Sequence, residues 1–167
     1  MNLKKLTILG LLLANALVLS YVESLFGFYI GIPGAKLGLA NLVTLLLLYT
    51  YGAKEAVIMN LLRILMTGFL FSGLFGIIYS IVGAGFSFMA MYLVKKTGKF
   101  SILGVSITGG VTHNIGQLVV AVILMENQNV IFYLPVLLIA GTVTGMILGY
   151  IGALLLPYLK KITREDS

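Results

Sequence analysis

The sequence predicts an all-α membrane protein, a bundle of six transmembrane helices with both termini in the cytoplasm. Three observations carry that expectation. Of the 167 residues, 60% are hydrophobic and only 10% are charged, where an ordinary globular chain is about 25% charged. The apolar residues fall in long runs, as helical spans of about 20 residues require. The lysines and arginines sit in the breaks between the runs and sort to alternate sides, as the asymmetry of cytoplasmic loops demands.

The first run extends from Leu6 to about Phe26, behind Lys4 and Lys5. Ala14, Asn15 and Ala16 look like a signal-peptidase site, but the apolar stretch continues through Leu17, Val18, Leu19 and Val22 and completes a span. The segment is therefore expected to stay as the first helix. A polar loop follows from Ile32 to Asn41, in which Pro33 fixes φ and Gly34 permits a tight reversal. Lys36 lies in this loop where the second helix is expected to begin, at the dipole end that disfavours a cation, which leaves two readings: something anionic comes to it, or it snorkels to lipid headgroups beside a short turn.

The second helix is placed from Leu37 to Tyr51 and the third from Ala56 to Phe71, with Gly52, Ala53, Lys54 and Glu55 between them. Both are short for a span. The fourth, Leu74 to Val94, stops at Lys95, Lys96 and Lys99, and the fifth runs from Ile102 to Met125 and closes at Glu126 to Asn129. The sixth covers Val130 to Leu159, with Pro135 in its first turns and Pro157 near its end. Residues 1–159 then form a single transmembrane domain, and residues 160–167 a charged cytoplasmic tail without order.

With six crossings, Lys4, Lys5, Lys54, Lys95, Lys96, Lys99, Lys160, Lys161 and Arg164 collect on one side and Lys36 alone on the other. That distribution puts both ends in the cytoplasm of a plasma-membrane protein and turns the loops at 32–41 and 126–129 outward. Small residues add a second pattern: Gly141, Gly145, Gly149 and Ala153 recur every fourth residue, as do Gly10 with Ala14 and Ala16 with Ser20. Such spacing lets helix backbones approach closely in lipid. In the sixth helix it predicts packing within the chain; in the first, which has an open side, a strip on which a partner docks.

Polar residues at membrane depth are costly and therefore mark candidate sites. Arg63 lies eight residues past Glu55, about 12 Å along a helix, and Asn60, Arg63 and Thr67 share one face. The fifth helix carries Gly109, Gly110, His113, Asn114, Gly116 and Gln117, a polar stripe beside an open backbone groove. That combination suits the wall of a pocket for a polar ligand. Glu23 is placed to pair with Lys36 or Arg63, and Asn41 one turn into the second helix. The substrate-binding candidates are thus Lys36, Asn41, Arg63, His113, Asn114, Gln117 and Glu23.

Other chemistries are excluded by what the chain lacks. There is no cysteine and one histidine, so no metal centre is expected. Gly98 and Lys99 are followed by Phe100 without the earlier glycine of a phosphate loop, so the chain does not hydrolyse ATP alone. The only aspartate is Asp166 in the tail, which leaves nothing to hold Mg²⁺ on a diphosphate. No serine has a credible base, since His113 has no acidic neighbour to orient it. No catalytic residue, cofactor or nucleic-acid partner is expected; the partners that remain are a small molecule, membrane lipid and other proteins.

The segment from Pro33 to Asn41, the residues around Asn60 and Arg63, and Gly109–Gly110 through His113, Asn114, Gly116 and Gln117 resemble the Gx transporter family, which also carries the name heptaprenyl diphosphate synthase component I. The similarity covers nearly the whole chain. The family in turn resembles the substrate-binding S components of energy-coupling factor (ECF) transporters. That resemblance implies a six-helix protein that captures a vitamin-like molecule from outside, beneath the loop joining its first two helices, and that partners a transmembrane coupling subunit and two ATPases. It implies Lys36 and its neighbours as lid or pocket, and Gly10, Ala14 and Ala16 as the docking strip, although the first two stand where S components typically carry two alanines. It suggests a flavin, FMN or FAD, or another cofactor precursor as the solute, with Tyr29, Phe75 and Tyr79 as stacking partners. The prenyl-synthase name implies instead an accessory membrane subunit, non-catalytic itself, beside a soluble chain that brings the aspartate-rich motifs.

Overall fold

A computed structural model of the chain describes residues 3–26, 36 and 38–164. Its helices are α1 (Leu3–Phe26), α2 (Asn41–Thr50), α3 (Ala53–Thr67), α4 (Gly73–Lys96), α5 (Ile102–Met125) and α6 (Leu134–Arg164). A π-helical turn, Gly68–Ser72, joins α3 to α4, and a 3₁₀ segment, Gln128–Tyr133, leads into α6. No strand occurs among the described residues. Four helical stretches, Leu3–Leu25, Ala53–Lys96, Ile102–Met125 and Gln128–Thr163, are long and apolar enough to cross a membrane, which fits a multi-pass membrane protein.

The 44-residue stretch from Ala53 to Lys96 would reach about 66 Å as one straight helix, twice the roughly 30 Å of bilayer hydrocarbon. It is not straight. Gly73 adopts φ +64°, and Gly68 comes so close to Ile77 that a Cβ on the glycine would overlap the isoleucine side chain. Nine residues along a straight helix would be about 13 Å apart. The chain therefore turns back at the π-helical segment and α4 packs on α3. The third helix accordingly gives way at Gly68 rather than at Phe71.

At the centre stands α2. All eight residues from Asn41 to Leu48 are buried, and each of the other five helices touches it. A helix apolar on every side has to be surrounded in this way, and the leucines Leu42, Leu45, Leu46, Leu47 and Leu48 supply the core. Its ten residues rise only about 15 Å.

On one flank α5 is clasped between α4 and α6 through glycines. A Cβ on Gly141 would lie 2.7 Å from the Gly110 carbonyl oxygen, and one on Gly145 2.6 Å from Ile107 Cα. Towards α4, a Cβ on Gly116 would lie 3.0 Å from Gly83 Cα. The regular glycines of α6 thus serve packing within the chain, the use predicted for them. The opposite edge is α1, which leans on α2, α3 and the π-helical turn and leaves Leu11, Val18, Tyr21 and Leu25 exposed.

Charged groups tie the helices together at one end. Lys5 donates to Glu55 at 2.7 Å and lies over the Tyr51 ring at 5.3 Å, which fixes the start of α1 to the α2–α3 junction. Lys95 donates to the Leu48 carbonyl and covers the Tyr49 ring at 4.7 Å, satisfying a carbonyl that the C-terminal end of α2 would leave unpaired. At the start of α5, Ser101 accepts from the Gly104 N–H as an N-cap. α6 runs through Pro157 as far as Arg164, so residues 160–164, assigned to a disordered tail, continue the helix; residues 165–167 lie outside the described residues. So do Pro33, Gly34 and Leu37, and with them the expected turn and the expected start of the second helix.

Candidate functional site

At the end of α2 remote from Glu55 and Lys95, the polar residues singled out in the sequence gather round the short segment that enters the helix. Gly38 adopts φ +85°, a conformation in which side-chain-bearing residues are strained. A Cβ there would also meet Asn41 Nδ2 at 2.9 Å and His113 Cδ2 at 3.2 Å, so the backbone passes where only glycine fits. The chain then enters α2 through tight turns, with the Asn41 N–H donating to the Gly38 carbonyl at 2.9 Å.

Two side chains from different helices hold this segment by its backbone. Glu23 of α1, 2% exposed, accepts from the N–H of Gly38 and from the N–H of Leu39 at 3.2 Å. From α5, Gln117 accepts the Lys36 N–H at 3.0 Å through Oε1. A backbone N–H only donates, so Gln117 presents its amide nitrogen to His113 Nε2, 3.0 Å away. His113 Nε2 must then accept, which places the ring proton on Nδ1, against Gly83 of α4.

The Lys36 side chain is also buried and donates to Ser72 Oγ of the π-helical turn at 2.9 Å. Burial pushes its ammonium below its ordinary 10.5, with the positive charge of Arg63 acting the same way and Glu23 opposing. Because α2 begins at Asn41, Lys36 stands clear of that helix's first turn, and the carboxylate of Glu23 is the charge found there instead, as the dipole favours. Asn41 opens α2 rather than lying a turn inside it, and its Nδ2 is buried with no hydrogen-bond partner among the described residues.

Arg63 lies deeper, 4% exposed. Its Nε and Nη2 donate to Asn60 Oδ1 at 3.1 and 2.8 Å, and Nη1 donates to Ser20 Oγ of α1 at 3.2 Å. Glu23 lies within its electrostatic reach. An arginine at the centre of a membrane helix costs about 3 kcal/mol on insertion scales, and hydrogen bonds to charged groups contribute about 1.5–3 kcal/mol each. The three bonds, two of them shared by Asn60 Oδ1, offset that cost and hold the guanidinium in place. Beside it a cavity of about 10 Å³, lined by Leu13, Ala16, Thr44, Met59, Asn60 and Arg63 among others, has room for about one water molecule.

Three groupings expected from the sequence come apart in the fold. Asn114 does not face this cluster: one residue along a helix turns the side chain by about 100°, and Asn114 Nδ2 donates to the Leu137 carbonyl of α6 at 2.8 Å. It fastens α5 to α6. The proposed docking strip divides in the same way, since Gly10 and Ala14 lie on the exposed side of α1 while Ala16 is 2% exposed, turned inward with Ser20. The proposed stacking aromatics do not converge either. Tyr79 is buried among Leu118, Val130 and Leu137, Phe75 is exposed, and Tyr29 lies outside the described residues.

Ser20 and Ser72 are partners that sequence reasoning missed. Ser20, three residues before Glu23, shares its helix face, and that spacing was the available signal; Ser72, inside an apolar run, carried none. Glu23, Lys36, Asn41, His113 and Gln117 meet at one end of α2, with Arg63 one layer below. No three His, Cys, Asp or Glu side chains among the described residues come close enough to hold a metal ion.

A family model described as heptaprenyl diphosphate synthase component I matches residues 12–155. No curated protein and no solved structure matches the chain.

Proposed function

The chain belongs to the heptaprenyl diphosphate synthase component I family, and from that premise we propose that it is a membrane-embedded, non-catalytic subunit that works beside a separate, soluble prenyl diphosphate synthase chain. The observation that carries the reading is the carboxylate inventory. A prenyl diphosphate synthase holds its diphosphates through Mg²⁺ on clustered acidic side chains, whereas this chain has one aspartate, Asp166, and its buried acid, Glu23, is engaged by backbone N–H groups. The partner supplies the chemistry. This chain supplies the membrane location and, at the loop end of α2, a binding place formed by Lys36, Asn41, Glu23, Arg63, His113 and Gln117 for a small polar molecule. The topology that goes with this is six crossings of the plasma membrane, with both termini and the lysine-rich end in the cytoplasm. Residues 36–41 then face outward.

A second reading has an observation of its own. A solute-capturing S subunit of an ECF-type importer would need polar residues beneath an outward loop and a free small-residue face on its first helix. The cluster around residues 36, 38 and 39 and the exposed Gly10 and Ala14 favour it. Purification of the tagged chain from native membranes separates the two. Copurification of a soluble synthase with aspartate-rich motifs is the result expected; copurification of a transmembrane coupling subunit with ATPases, and no synthase, overturns it in favour of the importer.

A further inference from the structure

We propose that the entrance to α2 is an oxyanion site, for a phosphate or carboxylate group, which Glu23 occupies as the chain's own stand-in. This rests on the ligand-holding reading of residues 36–41 given above, and it names the chemistry of the ligand. The N–H groups of Gly38 and Leu39 converge on one oxygen, Oε1 of Glu23. Two successive backbone donors ahead of a helix, with the dipole behind them, form a cradle for negative charge.

Independent observations show that the cradle asks for more acceptors than Glu23 offers. Asn41 Nδ2 is buried, has no hydrogen-bond partner among the described residues, and lies on the Gly38 side of the cradle, 2.9 Å from where a Cβ on that residue would stand. Among the described residues the Lys36 ammonium donates to the neutral Ser72 hydroxyl alone, and the Arg63 guanidinium is spent on the neutral oxygens of Asn60 and Ser20. Two cations therefore face one carboxylate, a net charge of +1 in a buried place, and the Asn41 amide adds an unused donor. The complement is an acceptor carrying negative charge. An entering oxyanion takes the two N–H groups, Asn41 Nδ2 and the Lys36 ammonium, and Glu23 withdraws with α1, the helix at the exposed edge of the bundle.

The full chain in nanodiscs of phosphatidylcholine alone, titrated by calorimetry with inorganic phosphate, pyrophosphate and acetate, tests this. Binding is expected, about tenfold weaker in Asn41→Leu and in Lys36→Met and about tenfold tighter in Glu23→Ala, as gain or loss of one charge-assisted hydrogen bond implies. Asn41→Leu removes a donor that has no partner among the described residues, so it keeps the comparison open if Lys36→Met fails to fold. A parallel set of nanodiscs containing phosphatidylglycerol, with no added anion, identifies the source. A rise in thermal stability confined to these discs and abolished by Asn41→Leu assigns the oxyanion to a lipid headgroup, and binding in phosphatidylcholine discs assigns it to a solute. Absence of binding and of any such rise in both wild type and Glu23→Ala overturns the inference. So does binding that none of the three substitutions alters, or binding of methylammonium in place of the anions. Copurification with a synthase is a separate result, so either proposal can fail while the other stands.

Discussion

Gly110 of α5 and Gly141 of α6 stand backbone against backbone, each where a Cβ on the other would strike: the one built on Gly141 falls 2.7 Å from the Gly110 carbonyl oxygen. Neither position can take a larger residue without separating the helices. Gly110→Leu or Gly141→Leu is expected to destabilise the protein by at least the 1–3 kcal/mol or so typical of overpacking, read as a lower unfolding midpoint in detergent. Gly10→Ala, with nothing within 4 Å of the new methyl, is expected to change stability by less than about 0.5 kcal/mol. Equal effects at the two places would contradict this packing.

Glu23 is the latch on the segment entering α2. Glu23→Ala is expected to raise hydrogen exchange at the Gly38 and Leu39 amides by roughly 10- to 100-fold, the equivalent of one charge-assisted hydrogen bond. Exchange inside α5 serves as the reference. Unchanged protection at residues 38 and 39 would show that something other than this carboxylate holds them.

Removing the partners of Arg63 is expected to do more damage than removing Arg63 itself. Asn60→Leu strands a buried guanidinium, a cost of about 3–5 kcal/mol. Arg63→Met removes the charge together with its requirements and leaves two neutral groups to satisfy. Chemical denaturation of both variants in the same micelle checks the order. A less stable Arg63→Met would mean that the charge contributes beyond Asn60 and Ser20, through Glu23.

The Lys36 ammonium, pushed by burial and by Arg63 below its ordinary 10.5 against the pull of Glu23, makes stability depend on pH with a definite sign. Between its folded value and 10.5 the folded state binds fewer protons than the unfolded one, so this group's contribution grows as pH rises through that window and is lost as pH falls. The unfolding midpoint of the wild type relative to Lys36→Met is expected to climb as pH rises towards that limit. A difference that shrinks instead would place the lysine in a site that favours its charged form.

Much of this was open to reading along the chain, and the failures have physical causes. The limits of α5 were right because Ser101 and Glu126 punctuate an apolar run, the second by adopting φ +48°. The break at Gly68 was not read, since Gly68, Phe69, Leu70, Phe71 and Ser72 continue an apolar pattern and a π-helical turn has no composition of its own. Spacing by threes and fours put Asn60 and Arg63 together correctly. Adjacency misled at Asn114, which was grouped with His113 although neighbours on a helix point apart, and two-residue spacing did the same to Ala14 and Ala16. Glu23 was rightly set near Lys36, but the hydrogen bond from Lys36 to Ser72 was out of reach, because the two residues approach only through the tertiary fold.

The shortness of α2 has one more consequence. Its roughly 15 Å of rise is about half of a hydrocarbon layer of some 30 Å, so the helix at the centre of the bundle is too short to cross such a layer by itself. Leu45, Leu47 and Leu48 are buried in it and all five other helices lean on it, so a void opened there would slacken the whole bundle at once: its cohesion hangs on its shortest member.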